Sequence, residues 1–405
     1  MTDVRPFFAL RPPVALVHRV ASPPYDVVST ADARRLAEGN PASFLHVSRP
    51  EIDLPSGTDE HADEVYEKGR TNLLEFVERG VLERDPEPHL YIYAQRMGEH
   101  RQVGVVACAS VADYVADRIK KHEKTRADKE DDRTRHIETL AAHDEPVFLT
   151  YRAVAAIDAL VEAQCTAAPI YDFTSEDGVH HRLWVVDAAT SKELSRLFAE
   201  AVPTLYVADG HHRSAAAARA HEASRGDGRE HDVFLAVIFP HDQMNIMAYN
   251  RTIRDRAGRD GEAILAELVA RFDVSPADAA APSEPGTFGI YAKGSWYRAR
   301  VRAGTFDAND PIESLDCQIC QRQILEPVFG IIDPRRDDSI DFVGGIHGAR
   351  ELERRVDAGE ASVAIFLYPT SVAQVMAVSD AGAIMPPKST WFEPKLKSGL
   401  FVHVF

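Results

Sequence analysis

The chain has 405 residues, which at ~150 residues per domain predicts two or three domains. Hydrophobic residues make up 45% and charged residues 27% of it, values typical of a folded globular protein and not of a disordered one. With 46 basic against 63 acidic residues, the formal net charge of −17 argues against general binding to nucleic acid or to an anionic membrane. A bound anion therefore needs a local pocket of hydrogen-bond donors.

The four cysteines are too few for a disulfide scaffold, and the first residues lack the apolar core of a signal peptide. The longest apolar runs, 103–109 and 233–239, are far too short to span a membrane. We therefore expect a cytoplasmic protein without a membrane partner. Cys317 and Cys320 form a CxxC pair that suits half a zinc site or a redox pair, but apolar neighbours at helical spacing favour core packing.

The first part of the chain alternates between short strand and helix patterns. Residues 7–28 are rich in proline and predict extended strands and turns, whereas 29–38 begin with capping hydroxyls and predict a short helix. An apolar stripe at 65–77 predicts a second helix, and the alternation over 89–111 predicts a hairpin. From 117 to 145 the residues are almost wholly charged with interleaved signs, which favours a solvated helix or arm.

The most regular pattern in the chain is a strand, a turn, a helix and a second strand. Residues 204–208 read as a strand, Asp209 and Gly210 as a turn, 214–223 as an alanine-rich helix, and 233–239 as the second strand. Polar side chains are concentrated at the turn, at the carboxyl end of the first strand.

One stretch alone, 275–286, has the composition of a linker. It predicts an N-terminal nucleotide-binding or catalytic domain over 1–274, with an insertion at about 85–200, and a smaller domain over 287–405.

The run 209–213, Asp-Gly-His-His-Arg, has the composition of an anion-binding turn. The first N–H groups of a helix have no internal partner and carry partial positive charge, and Gly210 permits close approach of a ligand. Arg213 offers a planar fork to phosphate oxygens, and Asp209 suits metal binding or proton abstraction. The alternative is an ordinary turn whose side chains satisfy local carbonyls, but ligands of α/β proteins gather at such strand ends.

Two further clusters contain groups that suit chemistry. His122, Glu123 and Thr125 offer a carboxylate base and a hydroxyl together, although their spacing alone favours a solvated helix face. Lys388 and Ser389 stand on a proline-flanked loop and suit a phosphate or carboxylate, with a plain surface loop as the alternative. A P-loop is excluded there because proline has no N–H to offer a phosphate.

These residues resemble a bacterial and archaeal family catalogued as domain of unknown function 1015. The matching stretches run the length of the chain: Ser22-Pro-Pro-Tyr-Asp-Val-Val, Asn40-Pro41, His122-Glu-Lys-Thr, Ala208-Asp-Gly-His-His-Arg, Met385-Pro-Pro-Lys-Ser-Thr-Trp-Phe-Glu-Pro-Lys and Ser398-Gly-Leu.

The turn 209–213 is also similar to the signature of the ParB/sulfiredoxin superfamily, in which such a turn at a helix start binds nucleotide phosphates. Within that superfamily its spelling is nearest to that of free-serine kinases. Sulfiredoxins carry a nucleophilic cysteine where this chain has His211 and His212, so sulfinic-acid repair is not expected. The resemblance implies an α+β fold with a ParB/sulfiredoxin-like core, a large charged helical insertion and a smaller C-terminal α+β domain.

The leading hypothesis is a small-molecule kinase that transfers a phosphoryl group from ATP or ADP, with Mg²⁺, to free serine or a similar hydroxyl amino acid. Its alternative is a nucleotide- or metabolite-sensing regulatory protein without turnover. No nucleic-acid partner is expected, and a homodimer is left open. The roles assigned are phosphate binding for Gly210, His211, His212 and Arg213; catalysis for Asp209, Glu123 and Asp26, with Asp209 also holding Mg²⁺ through the phosphates; and pocket lining for His122, Thr125, Lys388 and Ser389.

Overall fold

The structure, a computed structural model, describes residues 2–224 and 230–405. The chain forms two compact units: the first comprises the residues up to Met244 together with Pro394–Phe405, and the second comprises Asn245–Glu393. In the described part of the chain, no helix is long and apolar enough to cross a membrane.

The first unit contains most of the secondary structure. Its elements up to Met244 are β1 (Val4–Arg5), β2 (Ala9–Arg11), α1 (Val17–Val20), α2 (Thr30–Ala37), α3 (Leu45–Ser48), α4 (Asp63–Glu78), β3 (Glu83–Arg84), β4 (Tyr91–Met97), β5 (His100–Ser110), α5 (Val111–Val115), β6 (Ile119–Lys120), α6 (Ala127–Leu140), β7 (Ala142–His143), β8 (Val147–Tyr151), α7 (Ala155–Gln164), β9 (Tyr171–Thr174), β10 (His180–Val185), α8 (Ala188–Ala201), β11 (Leu205–Asp209), α9 (His211–Ser224) and β12 (Val233–Pro240).

The second unit follows, and the last strand returns to the first. The elements are β13 (Asn245–Met247), β14 (Tyr249–Ile253), α10 (Gly261–Val269), β15 (Phe272–Pro276), β16 (Thr287–Ala292), β17 (Ser295–Val301), α11 (Asp316–Cys320), α12 (Glu326–Phe329), β18 (Ile340–Gly344), α13 (Gly348–Asp357), β19 (Val363–Leu367), α14 (Val372–Asp380), β20 (Trp391–Glu393) and, in the first unit, β21 (Val402–Val404).

The main sheet of the first unit has the strand order β6-β11-β8-β12-β5-β4-β10-β9, with β1 beside β5. Every residue of β12 is buried, as expected for a continuous apolar strand in the middle of a sheet. The alanine-rich helix α9 packs on β8 and β12, and its Ala216 and Ala220 contact Ile137 of α6. Small side chains on α9 therefore let a helix lie close to the sheet on one side and to α6 on the other. The mixture of helices and sheets confirms the predicted α+β class.

The charged stretch 117–145 is built differently from a solvated arm. It contains β6, α6 and β7, and α6 buries polar side chains, among them Asp132 and His136. Polar residues that pair with one another inside a protein leave no apolar stripe for a sequence pattern to reveal. Likewise, the residues expected to form an insertion, about 85–200, supply β4, β5, β8, β9 and β10 of the main sheet.

The second unit has its own sheet, with the strand order β15-β17-β16-β19-β14-β18. The linker-like stretch 275–286 lies inside this unit, because β15 and β16, on either side of it, both pair with β17. At the other end, the chain returns to the first unit, where β21 pairs with β2 and β7. These boundaries depend on pairings between distant strands, which composition does not record.

The return of the chain to the first unit generates a stability prediction at Gly399. Its φ is +80°, and a Cβ there would lie 2.6 Å from the Cβ of Phe44. Gly399→Ala should lower the free energy of unfolding by about 3 kcal/mol, because left-handed strain adds to a clash with a buried ring. Gly80→Ala, at φ +66° with no atom within 4 Å of the added Cβ, isolates the strain and should cost about 1 kcal/mol. Equal losses in urea denaturation would contradict the predicted clash.

Candidate functional site

The position of the site follows from a pair of parallel strands. β6 runs parallel to β11, with Ile119 opposite Leu205 and Lys120 opposite Tyr206. The carboxyl ends of parallel strands lie at the same edge of a sheet, so the loop after β6 lies beside the turn after β11. The structure thereby brings 121–126 to the start of α9.

Gly210 makes the turn between β11 and α9 possible for two reasons. Its φ of +94° is a conformation that side chains with a Cβ rarely adopt, and a Cβ would lie 2.9 Å from Arg213 Nε. The Gly210 N–H donates to Asp209 Oδ1 at 2.9 Å, and the Gly210 carbonyl accepts from the Ser214 N–H at 2.9 Å as α9 begins. The Arg213 side chain thus packs directly over the glycine.

Asp209 is an ionised carboxylate held between two cations. Its Oδ2 lies 2.9 Å from Lys395 Nζ, and its Oδ1 lies 3.9 Å from an Arg213 Nη. Burial acts to raise the pKa of Asp209, but the positive charges of Lys395 and Arg213 outweigh it and hold the pKa well below its usual range. Asp209 is therefore charged at every physiological pH.

Arg213 is the buried cation of the site, with 7% of its surface exposed. One Nη donates to the Pro146 carbonyl at 2.5 Å, and the other lies 3.8 Å from Asp26 Oδ2. Burial opposes its charge, but the carboxylates of Asp26, Asp209 and Glu145 raise its pKa above the ordinary value. In the described part of the chain, Arg213 Nε has no hydrogen-bond partner.

Two buried histidines stand beside this ion cluster. The rings of His122 and His211 meet edge to face, with centroids 4.4 Å apart. Burial lowers the pKa of His122 to about 4 and that of His211 well below 6.5, so both imidazoles are neutral at pH 7. A neutral imidazole can donate one hydrogen bond to a phosphate but adds no positive charge.

The remaining predicted residues of the first unit lie around the same turn. Glu123 Oε2 is 4.0 Å from His211 Nδ1, and His212 Nε2 accepts from the Arg126 N–H at 3.1 Å. Thr125 donates to Glu130 at the start of α6. The first unit therefore gathers its predicted residues at one edge of the sheet, while their roles stay predictions.

Lys388 and Ser389 belong to the second unit. The Lys388 carbonyl accepts from an Arg251 Nη at 3.0 Å, and Ser389 Oγ lies 3.1 Å from Cys317 Sγ. Lys388 has a φ of +57°, in the left-handed region. Their predicted part in a nucleotide pocket stays a prediction.

Sequence reasoning did not assign a role to Lys395. Its ammonium pairs with Asp209, and its carbonyl accepts from Gln95 Nε2 at 2.8 Å. Two residues on, Lys397 Nζ binds Asp177 at 2.5 Å. A signal was present, because Lys395 lies in the same motif as Lys388, but that motif is divided between the two units after Glu393.

Glu145 was also missed, although it is a buried carboxyl group with 6% of its surface exposed. Its Oε1 accepts from the Tyr25 N–H at 3.0 Å and from Ser398 Oγ at 2.7 Å. Burial, together with the neighbouring charge of Asp144, raises the pKa of Glu145 to about 7. Glu145 lies in a stretch of charged residues, and nothing in that sequence pattern distinguishes a buried carboxylate from a solvated one.

Comparison with known proteins places the chain in a family. Residues 4–318 match the family described as Protein of unknown function (DUF1015). The chain belongs to this family, which confirms the membership that its motifs predicted. No curated protein matches the chain.

Solved structures to which the chain is similar include two complexes of free serine kinase and a structure of SbnI. A Glu-to-Gln variant of free serine kinase in complex with AMP is 13% identical, has a TM-score of 0.37, and covers 73% of this chain and 92% of its own. A Glu-to-Ala variant of free serine kinase in complex with ADP is 12% identical and has a TM-score of 0.36. The similarity covers 73% of this chain and 92% of the kinase chain. C-terminally truncated SbnI from Staphylococcus aureus is 12% identical and has a TM-score of 0.37. The similarity covers 71% of this chain and 82% of the SbnI chain. These likenesses assign no role to any residue of this chain.

The ion pair between Asp209 and Lys395 generates a double-mutant prediction. Asp209→Asn and Lys395→Met should each destabilise the protein, and the pair of substitutions should cost about 1–3 kcal/mol less than the sum of the two, because each single change leaves the other charge unpaired. The control cycle is Arg101 with Glu162, whose side chains are 45% and 51% exposed, and its coupling should be below about 1 kcal/mol. Additive losses at Asp209 and Lys395 in urea denaturation would show that the pair is not coupled.

Proposed function

We propose that this chain is a small-molecule kinase that transfers a phosphoryl group from ATP or ADP to the hydroxyl of free serine or a similar metabolite. The observation that carries the proposal is the convergence of two cations, Arg213 and Lys395, on Asp209 at the N-terminus of α9. Phosphoryl transfer depends mainly on positioning and on neutralising the charge of the phosphates.

The phosphate-binding part of the proposal rests on three kinds of donor at one place. The first turn of α9 directs backbone N–H groups and partial positive charge away from the helix, towards its N-terminal end. Arg213 adds a permanent charge whose Nε has no protein partner in the described chain, and neutral His211 and His212 add single donors. Gly210 leaves room for the Arg213 side chain to lie over the turn, at the start of the helix.

The proposal includes Mg²⁺ as an ion that the nucleotide brings with it. Asp209 Oδ1 already accepts from Gly210 and Oδ2 already binds Lys395, so Asp209 fits Mg²⁺ held on the phosphates better than direct ligation. Across residues 2–224 and 230–405, no cluster of three or more His, Cys, Asp and Glu side chains is placed to hold a metal ion. Nucleotide-bound Mg²⁺ neutralises phosphate charge during transfer.

Two carboxylates are candidates to accept the proton of the substrate hydroxyl. The Asp26 side chain is 36% exposed and faces Arg213, while the Glu123 side chain is 42% exposed and faces His211. A general base must be reachable by the substrate, and both satisfy that condition. Asp26→Asn and Glu123→Gln separate the two, because only loss of the base should lower kcat strongly with little change in KM.

Incubation with ATP or ADP, Mg²⁺ and a set of hydroxyl amino acids, followed by mass spectrometry, tests the proposal. We expect a phosphorylated product from the wild type and a loss of at least about 100-fold in kcat/KM for Arg213→Ala, because phosphate charge is then left unpaired. Arg219→Ala, on the same helix but pairing with Asp131 at the surface, is the matched control and should retain activity.

The other outcomes discriminate between the hypotheses. Tight nucleotide binding without product, for every amino acid in the set, would overturn the kinase and favour the sensing protein. If the protein binds neither ATP nor ADP, both the kinase hypothesis and the nucleotide-sensing hypothesis are excluded. Asp209→Asn should abolish turnover with the fold intact by circular dichroism, and undiminished turnover would exclude the catalytic role of Asp209.

A further inference from the structure

Glu145 and Pro146 together connect three separate segments of the first unit. Its Oε1 accepts from the Tyr25 N–H, 120 residues away in sequence, and from Ser398 Oγ, 253 residues away. The carbonyl of the next residue, Pro146, accepts from Arg213 at 2.5 Å. The Glu145 carboxyl group therefore joins the N-terminal region to the C-terminal segment, and the adjoining Pro146 carbonyl adds the start of α9.

Each of these segments carries a residue of the candidate site. Asp26 follows Tyr25 directly, and Lys395 precedes Ser398 by three positions. Arg213 donates to the carbonyl of Pro146, the residue after Glu145. A shift of the Glu145 side chain would consequently move the anchors of Asp26 and Lys395, and a shift of the adjoining backbone would move that of Arg213.

The second oxygen of Glu145 faces a different environment. Oε2 is buried without a hydrogen-bond partner among the described residues, and the same is true of Arg213 Nε. Both residues line one cavity of about 20 Å³, which also touches Tyr25, Arg133 and His136. A space of this size holds about one water molecule.

We propose that Glu145 is the positioning residue of the site, which holds Asp26, Arg213 and Lys395 in the arrangement that binds phosphate. The proposal rests on the proposed function for the identity of the ligand. The role of Glu145 does not depend on the ligand, because the hydrogen bonds of Oε1 and the burial of the side chain are properties of the protein alone.

The charges around Glu145 give this role a pH dependence. From the other elements, Asp26, Arg213, Arg133 and His136 face it or its neighbour Asp144, and the Tyr25 ring lies against Arg133. Burial and Asp144 raise the pKa of Glu145 to about 7, so the group is mostly neutral at pH 6 and ionised at pH 8.5. Ionisation adds a negative charge beside Arg213, and phosphate affinity should fall as the pH rises.

The raised pKa of Glu145 also determines how the stability of the fold changes with pH. A carboxyl group whose pKa is higher in the folded than in the unfolded state stabilises the fold below its unfolded pKa and loses that contribution as the pH rises through about 7. Glu145→Gln preserves the acceptor for Tyr25 and Ser398 and cannot ionise. The variant should therefore gain stability relative to the wild type between pH 6 and pH 8.5.

The experiment measures ADP binding by calorimetry, in excess Mg²⁺, for the wild type, Glu145→Gln, Glu145→Ala and the surface control Glu138→Gln. At pH 6 we expect wild-type affinity for both glutamine variants and about a tenfold loss for Glu145→Ala, which removes the acceptor of both hydrogen bonds. At pH 8.5 the wild type should bind about fivefold more weakly than Glu145→Gln. Comparison at one pH cancels the titration of ADP itself.

Thermal unfolding of the same proteins without nucleotide separates two kinds of failure. If the Tm of the wild type and the Tm of Glu145→Gln depend on pH in the same way, the proposed role of Glu145 is overturned, whether or not ADP binds. ADP binding by Glu145→Ala equal to the wild type overturns it as well. A pH-dependent Tm difference in a protein that binds no nucleotide overturns only the proposed function and supports the buried carboxyl as the group that orders this region.

Discussion

Arg213 carries a permanent charge into the interior of the first unit, and much of the surrounding structure follows from that. A buried cation is tolerated only where acceptors and opposite charges replace the lost water. Asp209, Asp26 and the Pro146 carbonyl supply them from three different segments. Those segments must therefore meet at α9.

The same constraint explains the local geometry. The guanidinium packs over Gly210, where any Cβ would occupy its place, and Lys395 balances the second oxygen of Asp209. The neighbouring histidines stay neutral because burial opposes their protonation and lowers the pKa of each, and at His211 the neighbouring imidazoles and Arg213 lower the pKa further. The result is a site with two fixed cations and neutral donors, whose carboxylates are mostly committed to partners inside the protein.

Local patterns located the central module well. The predicted strand, turn, helix and strand over 204–239 correspond to β11, the turn at Gly210, α9 and β12, with ends displaced by a few residues. Alternation and alanine content reveal such elements because each depends on neighbours in sequence. α6 was harder to interpret, because its buried face includes Asp132 and His136, and the strands predicted as part of an insertion belong to the main sheet.

The sequence by itself determined the family, the α+β class and the polar turn at which the candidate site is centred. Only the tertiary structure decided that Lys395 pairs with Asp209 across 186 positions, and that Glu145 joins Tyr25 to Ser398. It also divided the C-terminal motif between two units. The physical reason is that burial and charge pairing are decided by contacts between distant segments, and a carboxylate or an ammonium has the same local signature in solvent and in the interior.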